Sequence, residues 1–207
     1  LILQVLFFTT EVDNYLEYFD FLFNVDDELN IPAYFSSILL LSASLLLSVI
    51  TLLKFRSGDP YRSHWSTLAL GFLFMAVDEM LTIHEHLNKP FQRLLGENHA
   101  SIFTFAWVVP GMIIVAVMGL LFLKFLIHLP KKHRNAFMLA GFIYVFGALG
   151  IEMIGANYAD SKGLHNLTYG LITICEESCE MAGVIVFIWA LLVYIRDQYK
   201  EIRFHLD

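Results

Sequence analysis

Long apolar stretches, separated by short polar connections, run through the chain from residue 32 onward. Five of them approach or exceed the roughly 20 residues with which an α-helix crosses about 30 Å of hydrocarbon. They lie at 32–55, 65–88, 102–128, 133–157 and 164–195. None shows the short segments of alternating polarity that a transmembrane barrel requires. The pattern predicts an all-α integral membrane protein, a bundle of five transmembrane helices over residues 32–197.

Composition agrees with lipid as the environment of this bundle. Hydrophobic residues make up 57% of the 207 residues, and the mean hydropathy is +0.64. Soluble domains use only roughly 45–50% apolar residues. The lipid bilayer is therefore the expected main partner, and no nucleic-acid partner is expected.

Two polar segments flank the bundle. Within residues 1–31, the stretch 11–30 holds seven acidic residues, no Lys or Arg, and several aromatic residues. This mixture favours an interfacial amphipathic helix that leads into Pro32, with a partly disordered segment as the alternative. Residues 198–207 are expected to form a short tail after the last span.

Basic residues are concentrated at one end of the predicted bundle. Ten lie in two connections and the tail: Lys54, Arg56, Arg62, Lys124, Lys131, Lys132, Arg134, Arg196, Lys200 and Arg203. The other end has three: Lys89, Arg93 and Lys162. The positive-inside rule therefore predicts an N-terminus outside and a C-terminus in the cytoplasm. The expected location is the bacterial inner membrane or an internal photosynthetic membrane.

Acidic residues inside the predicted spans point to chemistry. There are seven, with no Lys or Arg at that depth: Asp78, Glu79, Glu85, Glu152, Glu176, Glu177 and Glu180. One charge near the bilayer centre costs at least about 2.5–3.5 kcal/mol, so seven ionised acids would cost on the order of 20 kcal/mol. Shared protons, nearby histidines or bound metal cations must neutralise them.

A regular second span would gather several of these groups on one face. At about 100° per residue, Asp78, Glu79, Glu85 and His86 share an arc of roughly 120°. On the same wheel, His84 points about 120° away from Asp78. The spacing alone therefore favours His86 over His84 as a partner of the acids.

The fourth and fifth spans offer matching acidic groups. Glu176, Glu177 and Glu180 share one arc of the fifth span. On the fourth span, Glu152 lies beside small residues at a spacing of seven, which allow close helix contact: Gly141, Ala148 and Gly155. Three helices could thus supply carboxylates to one layer.

Carboxylates from several helices, with one or two histidines, hold dinuclear iron or manganese in helical bundles. The oxygen-rich set here favours Fe or Mn, with Zn or Ca as the alternatives. The candidate metal ligands are Asp78, Glu79, His84, Glu85, His86, Glu152, Glu176, Glu177 and Glu180. Protonated, hydrogen-bonded acids without metal are the competing interpretation. Trp107 and Trp189 are expected to face lipid or to belong to an interfacial aromatic belt.

Two segments resemble a family of bacterial multi-pass membrane proteins of unknown function. Residues 72–87 read FLFMAVDEMLTIHEHL and residues 176–183 read EESCEMAG. The resemblance covers most of the chain and includes the stretch 107–110. It implies no activity, but it places His84 rather than His86 in the recurring motif, against the helical wheel. Both histidines therefore stay candidates.

The leading hypothesis is a membrane metalloprotein with a mono- or dinuclear site, acting as an oxidoreductase on a lipophilic molecule such as a quinone, lipid or sterol. A metal-dependent intramembrane hydrolase is a variant. The first alternative is a cation or proton translocator that uses the same carboxylates, although the apolar runs 68–75 and 184–192 offer no conduction path. The second is a metal-stabilised structural or assembly subunit. Small-residue faces make a homo-oligomer a further expected partner.

Overall fold

The computed structural model describes residues 22–25, 29–84, 86, 90–91, 93 and 105–199. The predicted interfacial helix falls almost entirely outside these residues, as do Glu85 and the end of the tail. The described residues form helices and no strands. They are α1 Ile31–Arg56, α2 Arg62–Leu81, α3 Val108–His128, α4 Lys131–Val145, α5 Glu152–Lys162 and α6 Leu167–Gln198, with a π-helical turn Phe146–Ile151 between α4 and α5.

Four helical segments are long and apolar enough to cross a membrane. They are α1, α3, α6 and the continuous segment Lys131–Lys162, which combines α4, the π-helical turn and α5. The described residues are thus helical without strands, and four helical segments could span a membrane, as a multi-pass protein requires. The helix α2, with 20 residues, occupies the second predicted span, but in the described part of the chain it is not among these four segments. The count of five spans therefore stays a prediction.

Asparagine caps define where two of the spans begin. The Asn30 side-chain oxygen accepts a hydrogen bond from the Ala33 amide at 3.1 Å, and Pro32 occupies the first turn of α1. In the same way, Asn166 accepts from the Tyr169 amide at 3.0 Å and starts α6. Each cap satisfies one of the amides that a helix start leaves without an intrahelical partner.

The helices α1 and α2 form an antiparallel hairpin. Two serine hydroxyls of α1 donate across it to backbone carbonyls of α2, Ser37 to Ala76 and Ser44 to Ala69, each at 2.8 Å. Serine is small enough to let the two backbones approach, and its hydroxyl group stays hydrogen-bonded within the apolar contact.

A partly buried ion pair closes the turn between α1 and α2. Lys54 Nζ lies 2.9 Å from Asp59 Oδ2, and the Tyr61 amide donates to Asp59 Oδ1 at 2.8 Å. Burial alone would raise the pKa of Asp59, but the hydrogen bonds from Lys54 and Tyr61 outweigh it and hold that pKa below its usual value. We call this end of the bundle, where α2 and α4 begin and α6 ends, the basic end.

Aromatic side chains fill the core near the basic end. The Trp65 ring lies 4.9 Å from the Tyr194 ring and 5.0 Å from the Phe125 ring. One step further from the basic end, Phe72 of α2 stacks on Phe187 of α6 at 4.8 Å. These contacts fix α2, α3 and α6 at one end and leave their other halves free to surround a cavity.

Glycines allow α6 to cross α4 and the π-helical turn at very short range. A Cβ added at Gly183 would lie 2.7 Å from the Tyr144 backbone nitrogen, and one added at Gly147 would lie 3.0 Å from the Glu176 carbonyl oxygen. The predicted stripe at spacing seven is therefore wrong in one respect. Gly141 has nothing within 4 Å of its Cβ position, and Gly147 makes the close contact instead.

Candidate functional site

A cavity of about 730 Å³ lies between α2, α3, the π-helical turn with α5, and α6. Seven of the nine predicted ligands line it: Asp78, Glu79, His84, Glu152, Glu176, Glu177 and Glu180. The remaining lining residues are mostly aromatic and aliphatic, and no Lys or Arg belongs to the wall that the described residues form. The fold thus brings together acidic groups that are up to about 100 residues apart in sequence.

The end of α2 determines which histidine reaches the cavity. The helix stops at Leu81 because Thr82 adopts a left-handed conformation, with φ +53°, and its amide donates to the Asp78 carbonyl at 2.7 Å. Helical conformation resumes at Ile83 and His84. The His84 amide donates to Asp78 Oδ1 at 2.9 Å, and His84 Nδ1 lies 3.0 Å from Asp78 Oδ2.

The prediction of a regular helix up to residue 88 is therefore wrong, and the helical-wheel argument does not apply beyond Leu81. His84 pairs with Asp78, and it is the histidine that the resemblance places in the recurring motif. His86 is exposed, and its Nδ1 lies 2.7 Å from the Thr82 carbonyl oxygen, away from the cavity wall. Glu85 lies outside the described residues.

The π-helical turn places Glu152 in the cavity wall. Tyr144, Ala148 and Glu152 all line the cavity. In a regular α-helix, residues eight positions apart are rotated by about 80°, but a π-helical turn adds one residue to a turn and reduces that rotation to about 20°. The turn thus brings a tyrosine from α4 and a glutamate from α5 to the same face.

Trp107 joins the two sides of the site. Its indole Nε1 donates to Glu152 Oε1 at 2.9 Å, and its ring meets the His84 ring edge-on with 5.1 Å between centroids. The prediction that Trp107 faces lipid is therefore wrong, since the side chain is half-buried and hydrogen-bonded to an acid. Trp189, by contrast, is exposed, as expected.

The acids of α6 are in contact with groups from the preceding helices. The Glu176 carboxyl is hydrogen-bonded to that of Glu152, and Glu180 is hydrogen-bonded to the Tyr144 hydroxyl. Two ionised carboxylates have no hydrogen to share. The contact between Glu152 and Glu176 therefore requires one proton between them, or a cation in its place.

One comparison with known proteins covers nearly the whole chain. A family model described as a domain of unknown function (DUF8692) matches residues 2–195. The chain belongs to the DUF8692 family. No curated protein and no solved structure matches it. Membership of DUF8692 agrees with the resemblance to an uncharacterised family. Because the family has no described function, it assigns no activity to the cavity residues.

The cavity groups of this DUF8692 chain are arranged in pairs. Among the described residues, no three or more His, Cys, Asp or Glu side chains are grouped so that they could hold a metal ion. The predicted common layer of ligands is thus not assembled in this arrangement. The pairs Asp78–His84 and Glu152–Glu176 nevertheless border the same space, on either side of Trp107.

Sequence reasoning missed two residues that shape the site. For Trp107, the sequence held one indication, because the resemblance to the uncharacterised family includes the stretch 107–110. For Tyr144, no signal existed, because only the π-helical turn aligns it with Glu152.

Proposed function

We propose that this chain is a membrane metalloprotein in which the cavity carboxylates and His84 bind one or two divalent cations, iron or manganese foremost, with zinc or calcium as the alternatives. The bound metal would lie beside a space for a lipophilic molecule, on which the protein acts as an oxidoreductase. One observation carries the proposal. Seven candidate ligands from three parts of the fold line one cavity, and no Lys or Arg shares the wall that the described residues form.

Charge balance is the first argument for a cation. The six cavity carboxylates are half-buried within a bundle of apolar helices. Isolated charges in such surroundings are costly, so they are stabilised by counter-ions, protons or metals. A divalent cation neutralises two carboxylates at once, and carboxylate oxygen suits iron and manganese well.

The pair formed by Asp78 and His84 is the second argument. A neutral imidazole that donates from Nδ1 to a carboxylate carries its lone pair on Nε2, which is the form that ligates metals. The carboxylate also fixes the orientation of the ring. This arrangement is common next to metal-binding histidines and has no evident purpose at a surface that simply contacts lipid.

Metal binding would require the glutamates to change partners. Glu152 and Glu176 would exchange their mutual hydrogen bond for a shared cation, while Trp107 continues to hold Glu152. Glutamate has three rotatable side-chain bonds, so carboxylates on neighbouring helices can converge without movement of the backbone.

The bundle would have five spans, with α2 as the second and with the N-terminus outside. The basic end then faces the cytoplasm. Because the acidic groups lie nearer the opposite end, the site would be in the outer half of a bacterial inner membrane or an internal photosynthetic membrane.

Metal content tests the proposal. The protein is purified in mild detergent without chelators, and metals are quantified by mass spectrometry in the wild type, Glu152→Gln, Glu176→Gln and Asp160→Asn. Asp160 is a matched control, because it lies on α5 with Glu152 but is exposed and does not line the cavity. We expect stoichiometric metal in the wild type and the control and its loss in both cavity variants. Absence of metal from all four, even after reconstitution, would reject the proposal.

The hydrogen bond between Glu152 and Glu176 favours one alternative, a proton-carrying cluster in a translocator. Infrared spectroscopy separates the two functions, since a protonated carboxyl group has a distinct carbonyl band. A metalloprotein should lose that band on metal loading. A proton-carrying cluster should keep it in the presence of metal and lose it when either acid is replaced, in Glu152→Gln or in Glu176→Gln.

A further inference from the structure

The cavity is elongated, and the charged groups that the described residues contribute lie at one of its ends. Along α2 it extends from Asp78 to Thr67, and along α3 from Trp107 to Met118. Each wall covers eleven residue steps, which is about 16 Å at about 1.5 Å per residue. The polar groups cluster at the end with Asp78 and Trp107, and the remaining length is walled mainly by aliphatic and aromatic side chains. We call this remaining length the apolar slot.

The apolar slot is open sideways between α2 and α3. Leu70 and Phe74 of α2 are 67% and 59% exposed, Ile114 of α3 is 62% exposed, and all three line the cavity. In the described part of the chain, α2 and α3 touch through the Trp65 and Phe125 side chains at the basic end, but their backbones are rarely close to one another. The opening lies near the middle of α2, at the depth of the hydrocarbon, so a molecule that passes through it must dissolve in lipid.

The polar end selects the head of such a molecule by charge. Its wall offers carboxylates, the Asp78–His84 pair and the Trp107–Glu152 pair, and the described residues add no Lys or Arg. A phosphate or carboxylate head would meet like charge in a poorly hydrated space. A hydroxyl group can donate a hydrogen bond to a carboxylate and can also accept one.

We propose that the apolar slot takes a neutral lipid with a hydroxyl head, which enters from the bilayer between α2 and α3 and places its hydroxyl group among the cavity carboxylates. This inference rests on the proposed function in so far as the lipid would be the molecule that meets the metal. A volume of about 730 Å³ lies in the usual range for a pocket that encloses most of a small molecule.

Gly71 gives a way to close the slot without disturbing the fold. It lines the cavity, and nothing lies within 4 Å of its Cβ position, so Gly71→Phe would place a ring in open space. Gly119→Phe is the matched control. Gly119 also has nothing within 4 Å of its Cβ position, but it does not line the cavity.

Photolabelling tests the inference. The purified protein in lipid nanodiscs is exposed to hexadecanol with a diazirine in its tail, and, separately, to palmitic acid with the same diazirine. Labelled residues are mapped by mass spectrometry. We expect hexadecanol to label slot residues such as Met75 and Met118. That labelling should fall severalfold in Gly71→Phe and stay unchanged in Gly119→Phe, and palmitic acid should label only the lipid-facing surface.

Equal labelling of the slot in Gly71→Phe and the wild type would overturn the inference. So would equal labelling of the slot by palmitic acid, because it would show that charge does not select the head. Metal content measured on the same preparations separates the two proposals. Slot labelling without metal would reject the proposed function alone, whereas metal without slot labelling would reject this inference alone.

Discussion

The contact between α4 and α6 at Gly183 allows a quantitative prediction for Gly183→Ala. The added Cβ would lie 2.7 Å from the Tyr144 nitrogen, 2.8 Å from its Cβ and 2.9 Å from its Cα. Two of these are backbone atoms, so no side-chain rotation relieves the clash and the helices must separate. Such overpacking costs about 1–3 kcal/mol, and the upper end applies here. Alanine recovers about 0.5–1 kcal/mol of helix propensity. The net loss of stability should therefore be about 2 kcal/mol.

Gly141→Ala is the matched control for this prediction. It introduces the same methyl group on α4, where nothing lies within 4 Å of the Cβ position. Without a steric clash, the only effect of the substitution is the gain in helix propensity. This variant should therefore be as stable as the wild type or slightly more stable. Thermal unfolding of both variants in one detergent measures the difference. If Gly183→Ala matches Gly141→Ala, the two helices are not in the close contact described here.

Three further predictions concern the π-helical turn, the tryptophan contact and the basic end. Deleting Gly150 should convert the π-helical turn into a regular helix and leave Glu152 on the cavity face, because seven α-helical steps from Tyr144 give the same rotation of about 20° as eight steps through the turn. Metal binding and helicity by circular dichroism should both be retained, and loss of metal would contradict the role of the turn. Trp107→Phe removes the hydrogen bond to Glu152 and should cost about 1 kcal/mol in denaturant unfolding, whereas an unchanged midpoint would refute the contact. Because the pKa of Asp59 is lowered in the folded state, its pairing with Lys54 contributes stability above the unfolded pKa, and this contribution is lost as the pH falls through the folded pKa. Unfolding of Asp59→Asn should lack this acid dependence, and equal pH profiles of variant and wild type would reject the ion pair.

Much of the fold follows from the apolar pattern, because length and hydropathy are enough to define a span. The observed α1, Ile31–Arg56, differs by one residue at each end from the predicted 32–55. Its start was readable from Pro32, since proline fits the first turn of a helix. The start of α6 is three residues later than predicted, because Asn166 acts as the cap.

The end of α2 could not be predicted in this way. Left-handed conformations are typical of glycine and asparagine, and a β-branched threonine rarely adopts one. Thr82 does so here. Its amide donates to the Asp78 carbonyl, and this irregular turn brings His84 onto the Asp78 carboxylate. A helical wheel assumes a regular helix, and it therefore favoured His86 over His84 as the partner of the acids.

The acidic positions were predictable and their pairing was not. Acids stand out in apolar spans, and the cavity gathers seven of the nine residues chosen on that basis, counting His84. Their mutual arrangement depends on the π-helical turn, which in turn packs through Gly147 against α6. A contact between helices that are distant in sequence leaves no periodic signal within either one.

X-ray absorption at the edge of the bound metal is the most direct test of the central claim, that the cavity carboxylates and His84 form a metal site. We expect a first shell of oxygen with imidazole scattering in the wild type, and loss of the imidazole contribution in His84→Gln but not in His86→Gln. A first coordination shell without imidazole in the wild type, or an imidazole contribution that is unchanged in His84→Gln, would contradict the claim that His84 binds the metal.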